Sequence, residues 1–206
     1  PDEMIQSFEK YPNTHSLRAH IKQAAPQCLR NWDAPVYRAV DLKWAKPADL
    51  LSGKGAFSNG SHWMAPGLTC VFYAATTEAL ALKESRRNIE HFAIKRTARL
   101  RRKPRVVVEI HASIPAIVDF QKLCQAMPWP NVDEVLSENW EEINARHCET
   151  LAQACGRIFL DLGYVGLIAP SSRDRRGRNL IVFPQRIPRG SLEIFHSVEL
   201  EKWLAS

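Results

Sequence analysis

Apolar and polar positions change rhythm several times along this chain, and each change predicts an element. Ser16 to Ala24 (SLRAHIKQA) carries apolar residues at helical spacing and is closed by Pro26, which predicts an amphipathic helix. Within Trp32 to Asp41 (WDAPVYRAVD), Val36, Arg38 and Val40 alternate with Tyr37 and Ala39, the rhythm of a short strand. Gly53 to Trp63 (GKGAFSNGSHW) is rich in glycine and serine and reads as a flexible loop. Cys70-Val71-Phe72-Tyr73-Ala74-Ala75 is uninterruptedly apolar and predicts a strand buried on both faces. Thr76 and Thr77 then offer a helix N-cap, and Glu78 suits the positive end of the helix dipole. The helix places Leu80, Ala81 and Glu84 on one face and is expected to run on to Pro104.

Arg105 to Ile110 (RVVVEI) predicts a strong strand, which Ile114 to Phe120 extends or bends. A proline-broken loop at Met127 to Asn131 precedes a long helical pattern from Asp133 to Leu160. Val135, Leu136, Trp140, Ile143, His147, Leu151, Ala154, Cys155 and Ile158 lie near one face of it, where His147 reads as a core or rim histidine. Gly163 ends that helix. VGLIA (165–169) and NLIVF (179–183) are apolar strands flanking the loop Pro170 to Arg178, and a last strand is expected at Leu192 to Val198. There are no internal repeats or low-complexity tracts. The fold class is mixed α/β or α+β, with a central mixed sheet and flanking helices in one domain; residues 1–34 read as a helical extension and 35–206 as the main unit.

Charge and cysteines narrow the picture. The net charge of +6 concentrates in Lys95 to Arg105 (KRTARLRRKPR) and Arg173 to Arg178 (RDRRGR). Such blocks attract anionic ligands or nucleic acid, or are simply solvated. No aromatic residues interleave with them, so the stacking platforms of a single-strand binder are missing and direct nucleic-acid binding is disfavoured. The five cysteines are odd in number and never spaced C-x-x-C. They read as small apolar core residues, with Cys70 in its strand and Cys148 and Cys155 on one helical face, rather than as metal ligands or disulfides, and a reducing cytoplasm is the expected home. No apolar run reaches membrane-spanning length, and the N-terminus lacks a signal-peptide core. Phosphate-loop, nucleophile-elbow and H-E-x-x-H motifs are absent.

Three places carry candidate chemistry. Glu84 shares a helix face with apolar neighbours: it either sits at the edge facing water or turns inward, where it needs a cation or hydroxyl. Arg38 shares a strand side with two valines, reaching solvent or facing a pocket as an anion ligand. Ser171-Ser172-Arg173, at a strand exit, is a solvated loop or an anion- or ribose-binding corner.

Together these residues resemble the RES-domain family, NAD-degrading toxins of Xre–RES toxin–antitoxin modules, over roughly Val36 to Phe183. The resemblance rests on Val36-Tyr37-Arg38, on Asn59-Gly60-Ser61-His62-Trp63 followed by Pro66-Gly67, and on Tyr73 with Glu84 eleven residues later. Pro170-Ser171-Ser172-Arg173 and the strand Asn179 to Phe183 complete it. One departure is His62, where the family often has arginine; a histidine is only partly cationic at neutral pH, which implies weaker phosphate binding there unless another arginine substitutes.

The resemblance implies a fold similar to ADP-ribosyltransferases, with NAD+ as substrate, no metal, and cleavage of the nicotinamide–ribose bond. Implied catalytic residues are Glu84, Tyr73, Arg38 and Ser171; Arg38, His62, Trp63, Tyr73, Ser171 and Arg173 would bind the dinucleotide. It further implies a cognate antitoxin or immunity protein as partner and is compatible with a homodimer. Transfer of ADP-ribose to a macromolecule, and a basic nucleic-acid-binding domain without catalysis, are the alternatives.

Overall fold

The computed structural model of the protein describes residues 8–85 and 105–196. Helix α1 (Thr14–Ala24) leads through a short 3-10 turn into β1 (Leu29–Asp41). Two short helices, α2 (Pro47–Ser52) and α3 (Lys54–Asn59), precede β2 (Phe72–Ala75), and α4 follows at residues 78–85. The long strand β3 (Arg105–Asp119) feeds α5 (Phe120–Ala126), α6 (Val132–Ser137), α7 (Trp140–Asn144) and α8 (Leu151–Asp161). Strands β4 (Gly166–Pro170), β5 (Arg178–Val182) and β6 (Leu192–Ile194) complete the order.

The strands run β1-β2-β5-β4-β3-β6, and β1 also pairs with β3, so the mixed sheet closes into a barrel-like arrangement. Among the described strands only β3 and β4 are parallel; the other pairs are antiparallel. Closure is uneven. β1 and β3 are registered from Leu29 opposite Val118 to Asp41 opposite Arg105, whereas β1 and β2 share one registered pair, Tyr37 opposite Ala75.

Alternation along the strands produces two cores, because successive side chains point to opposite faces. Val36, Phe72, Ala74, Ile110, Ile168, Leu180 and Val182 fill the barrel interior. On the outer face, Leu167, Ala169, Ile181 and Phe183 meet Leu17 and Ile21 of α1, Phe120 and Leu123 of α5, and Ile158 and Phe159 of α8. Burying one such large apolar side chain is worth roughly 1.5–3 kcal/mol, so this helical layer is a main source of stability. β1 begins at Leu29 and crosses residue 34, and α1 contributes to the same core as α8.

Several expectations need correction. The helical pattern of 133–160 is three helices: the chain turns extended at Glu138 (ψ 137°) and Asn139 (ψ 92°) before α7, and the reciprocal cap of Thr150 with Gln153 starts α8 anew. Left-handed His147 (φ 57°) lies on the turn between α7 and α8 and touches Phe8 edge-on, so it belongs to no helix face. Cys148 is likewise outside α8, which leaves Cys155 alone on that helix. Cys70 precedes β2 and is half-buried. Burial pushes the Cys124 thiol up to about 12 and the Cys155 thiol well above its ordinary value, consistent with inert core residues. The glycine-rich stretch from Gly53 contains α3 rather than a flexible loop, and β3 continues unbroken to Asp119 opposite an irregularity in β1 at Arg30 to Trp32. The last strand ends at Ile194, with a turn at 195–196 where it was expected to continue; the expected run of α4 to Pro104, most of the first basic block and residues 197–198 lie outside the described residues.

Candidate active site

A cleft of about 320 Å³ opens beside the weak seam between β1 and β2. Tyr37 and Arg38 line it from β1, Tyr73 and Ala75 from β2, Glu84 from α4, and Gly55, Asn59 and His62 from the segment before β2. Ser172 and Trp140 complete the wall.

Glu84 is placed by the start of its helix. Thr77 Oγ1 accepts from the backbone N–H of Leu80 at 3.2 Å, satisfying an orphan donor of the first turn. Leu80 and Ala81 are buried, and one turn on Glu84 faces the loop after β4. There Ser171 Oγ donates to Glu84 Oε1 at 2.6 Å. The same oxygen accepts backbone N–H groups of Arg173 at 3.0 Å and Asp174 at 3.3 Å, so the hydroxyl proton is committed to the carboxylate.

A second donor comes from β5. Asn179 stands opposite Ala75 on the neighbouring strand, diagonal to Tyr73 on the same face. Its amide nitrogen donates to Glu84 Oε1 at 2.8 Å and to the Tyr73 hydroxyl at 2.5 Å. Turning the amide over would set a carbonyl against a carboxylate, so the amide's orientation follows from Glu84. Oε1 is thus doubly bonded, while Oε2 has no hydrogen-bond partner among the described residues. Lys83 Nζ reaches Asp174 Oδ2 at 2.5 Å and closes the helix onto the loop from outside. That contact, with the Arg176 N–H, holds the Asp174 carboxyl below its ordinary range.

Arg38 is treated differently. Its guanidinium lies over the Phe72 ring, 5.1 Å from the centroid, and donates to the Leu50 carbonyl. It has no carboxylate partner among the described residues, and burial lowers its pKa from the ordinary guanidinium range to about 10. A desolvated cation at a cleft wall is suited to an anionic ligand.

The segment carrying Ser61 and His62 is pinned from the helical layer. Gln153 donates to the Ser61 carbonyl at 2.8 Å and exchanges hydrogen bonds of 2.8 Å with Asn144 in both directions. Gly156 lets α8 approach so closely that a Cβ there would stand 1.9 Å from the Trp63 carbonyl oxygen. His62 is buried and lines the cleft. Trp63 instead packs in the core, edge-on to Phe120 at 4.7 Å, and is not among the cleft-lining residues.

The structure therefore brings together Glu84, Tyr73 and Ser171, and sets Arg38 and His62 on the same cleft. Arg173 contributes its backbone N–H to Ser171, with an exposed side chain outside the lining. Asn179 was missing from the expected site, although an Asn heading an otherwise apolar strand is a legible signal. Trp140 was missing too, hidden in the apparently continuous helix. Among the described residues no group of His, Cys, Asp and Glu is arranged to hold a metal ion, and no helix is long and apolar enough to cross a membrane. Chemically, the site offers a fixed carboxylate, one oxygen of which is available among the described residues, and a desolvated cation on the same cleft.

The family described as "RES domain" matches residues 35–203. A chain of the crystal structure of the M. tuberculosis MbcT-MbcA toxin-antitoxin complex shares the fold with a TM-score of 0.65 at 21% identity, covering 92% of this chain and 97% of that one. No curated protein matches significantly.

Proposed function

The chain belongs to the RES-domain family, and from that premise and the Glu84 cluster we propose that it is a toxin that degrades NAD+ by breaking the nicotinamide–ribose bond. The observation that carries the reading is Glu84 held by Ser171 and Asn179 on one oxygen, with the other oxygen available in a cleft that also contains Arg38.

In this mechanism Arg38 holds the diphosphate, whose charge compensates the cation that burial has left without a carboxylate. Glu84 Oε2 accepts from the ribose hydroxyls and faces the positive charge that develops on the sugar. The bond from ribose C1′ to the pyridinium nitrogen breaks, and its electron pair neutralises the ring as nicotinamide leaves. Water or phosphate then adds to the oxocarbenium-like carbon, as in glycoside cleavage, and a proton passes to solvent. Ser171 and Asn179 act as positioning residues for Glu84, and Tyr73 packs against the nicotinamide or orients the same ribose. An antitoxin that covers the cleft would silence the enzyme; that the similar fold comes from a toxin-antitoxin complex supports such a partner. The setting is cytoplasmic, where NAD+ is plentiful.

Time-resolved detection of nicotinamide release tests the reading with purified wild type beside Glu84→Ala. Release by the wild type and loss in the variant are expected. A folded wild-type protein that leaves NAD+ intact, with and without added phosphate, refutes it. Labelled NAD+ distinguishes transfer to a protein, which would leave label on a macromolecule.

A further inference from the structure

Trp140 has no part in the chemistry above, yet its half-buried side chain lines the same cleft. It opens the short helix α7, and Asn144 follows one turn later on the same face. Asn144 is fixed by Gln153 at 2.8 Å and by the Cys148 carbonyl at 2.9 Å. The backbone that carries the indole is therefore tied to α8 and to the Ser61 segment, the same supports that hold the cleft wall.

The lining residues of α3 and its flank are mostly small, Gly55, Ala56, Gly60 and Ser61, with Asn59 and His62 the larger ones. A Cβ at Gly60 would come within 3.3 Å of Asn144 Oδ1, which shows how closely α7 and this segment approach. At Gly55 an added Cβ would meet nothing within 4 Å. An anchored aromatic face beside small residues and open space is the construction of a stacking slot for a flat heterocycle. The pyridine end of the dinucleotide is already assigned to Tyr73 and Glu84, which belong to β2 and α4 rather than to α3 and α7.

Resting on the dinucleotide reading, we propose that Trp140 is the stacking platform for the adenine ring and so a specificity-determining residue of the cleft. Arg38, which lines the same cleft from β1, then holds the diphosphate that joins the halves.

The test compares wild type, Trp140→Ala and Trp140→Phe as full chains, checked for folding by thermal melting. Calorimetry measures binding of AMP, which carries adenine alone, and of nicotinamide mononucleotide, which carries the pyridine alone. Trp140→Ala is expected to weaken AMP at least about tenfold, in line with the size of base–aromatic stacking, and to leave nicotinamide mononucleotide within about threefold. The KM for NAD+ should rise with AMP dissociation while kcat stays within about threefold, and Trp140→Phe should keep most of the affinity. Unchanged AMP binding in Trp140→Ala overturns the assignment, as does equal loss of both mononucleotides or a Phe variant as poor as the Ala variant. AMP binding that depends on Trp140 without any nicotinamide release would uphold the slot and refute the reaction. NAD+ cleavage by a protein that does not bind AMP would do the reverse.

Discussion

The two charged residues that face the cleft are built on opposite terms. Glu84 is completed by the protein, since a hydroxyl and an amide converge on one oxygen from a loop and a strand remote in sequence. Arg38 is left incomplete, with a ring beneath it, one carbonyl beside it and no opposing carboxylate among the described residues. In the proposed mechanism the contrast separates a group that keeps one geometry from a group that still accepts a ligand. Preorganisation is invested in the carboxylate, while the cation retains its desolvation cost until an anion arrives.

The largest effect that could break this contrast comes from the carboxylate. Glu84→Gln keeps the shape and removes the charge, and nicotinamide release is expected to fall by about 10²–10³. An active Gln variant would show that charge is not what the cluster preserves. Arg38→Met ranks next. Its NAD+ affinity, measured by calorimetry, should drop at least about tenfold, while the Tm at neutral pH stays level or rises. The sign follows from the pKa lowered to about 10: below it the desolvated cation costs stability, and the cost fades as pH climbs from there toward the ordinary arginine value. A large fall in Tm would show that Arg38 is a structural cation instead.

Asn179→Leu sharpens the other side. It removes one of the two donors to Glu84 and the tie to Tyr73, and kcat should fall about tenfold, or ~1.4 kcal/mol, with KM little changed. Asn179→Asp should do worse at neutral pH and recover partly as pH falls, because two carboxylates in contact titrate at raised pH; a flat profile would contradict this. Lys83→Ala is expected to be the mildest, reducing kcat by less than about threefold, since its contact with Asp174 is solvent-exposed. That pair supports the loop above the ordinary carboxylate range of pH and releases it as pH falls through the lowered Asp174 value.

Much of this was legible from local pattern. The strand with Arg38, the capped helix with Glu84 and the serine at a strand exit all announce themselves within a few residues, because periodicity and capping are local properties. Asn179 was visible as a polar residue at the head of an apolar strand, but its role needs the β2–β5 register, which pairs residues about a hundred positions apart. Trp140 was obscured because the apolar spacing continues through the breaks between α6, α7 and α8. The Thr150-x-x-Gln153 box was the readable stop sign there. Trp63 was assigned to the ligand by the family resemblance alone, and only tertiary packing against Phe120 shows it to be a core residue.

Gly156 shows how far from the ligand a cleft can be shaped. With no room even for a methyl group between α8 and the Trp63 carbonyl, the depth of the cleft is governed by an atom that is missing from behind its wall. Any bulkier residue there would lift the Ser61–His62 stretch like a shim under a floorboard. A helix that contributes no residue to the lining thereby sets how deep the cleft can be.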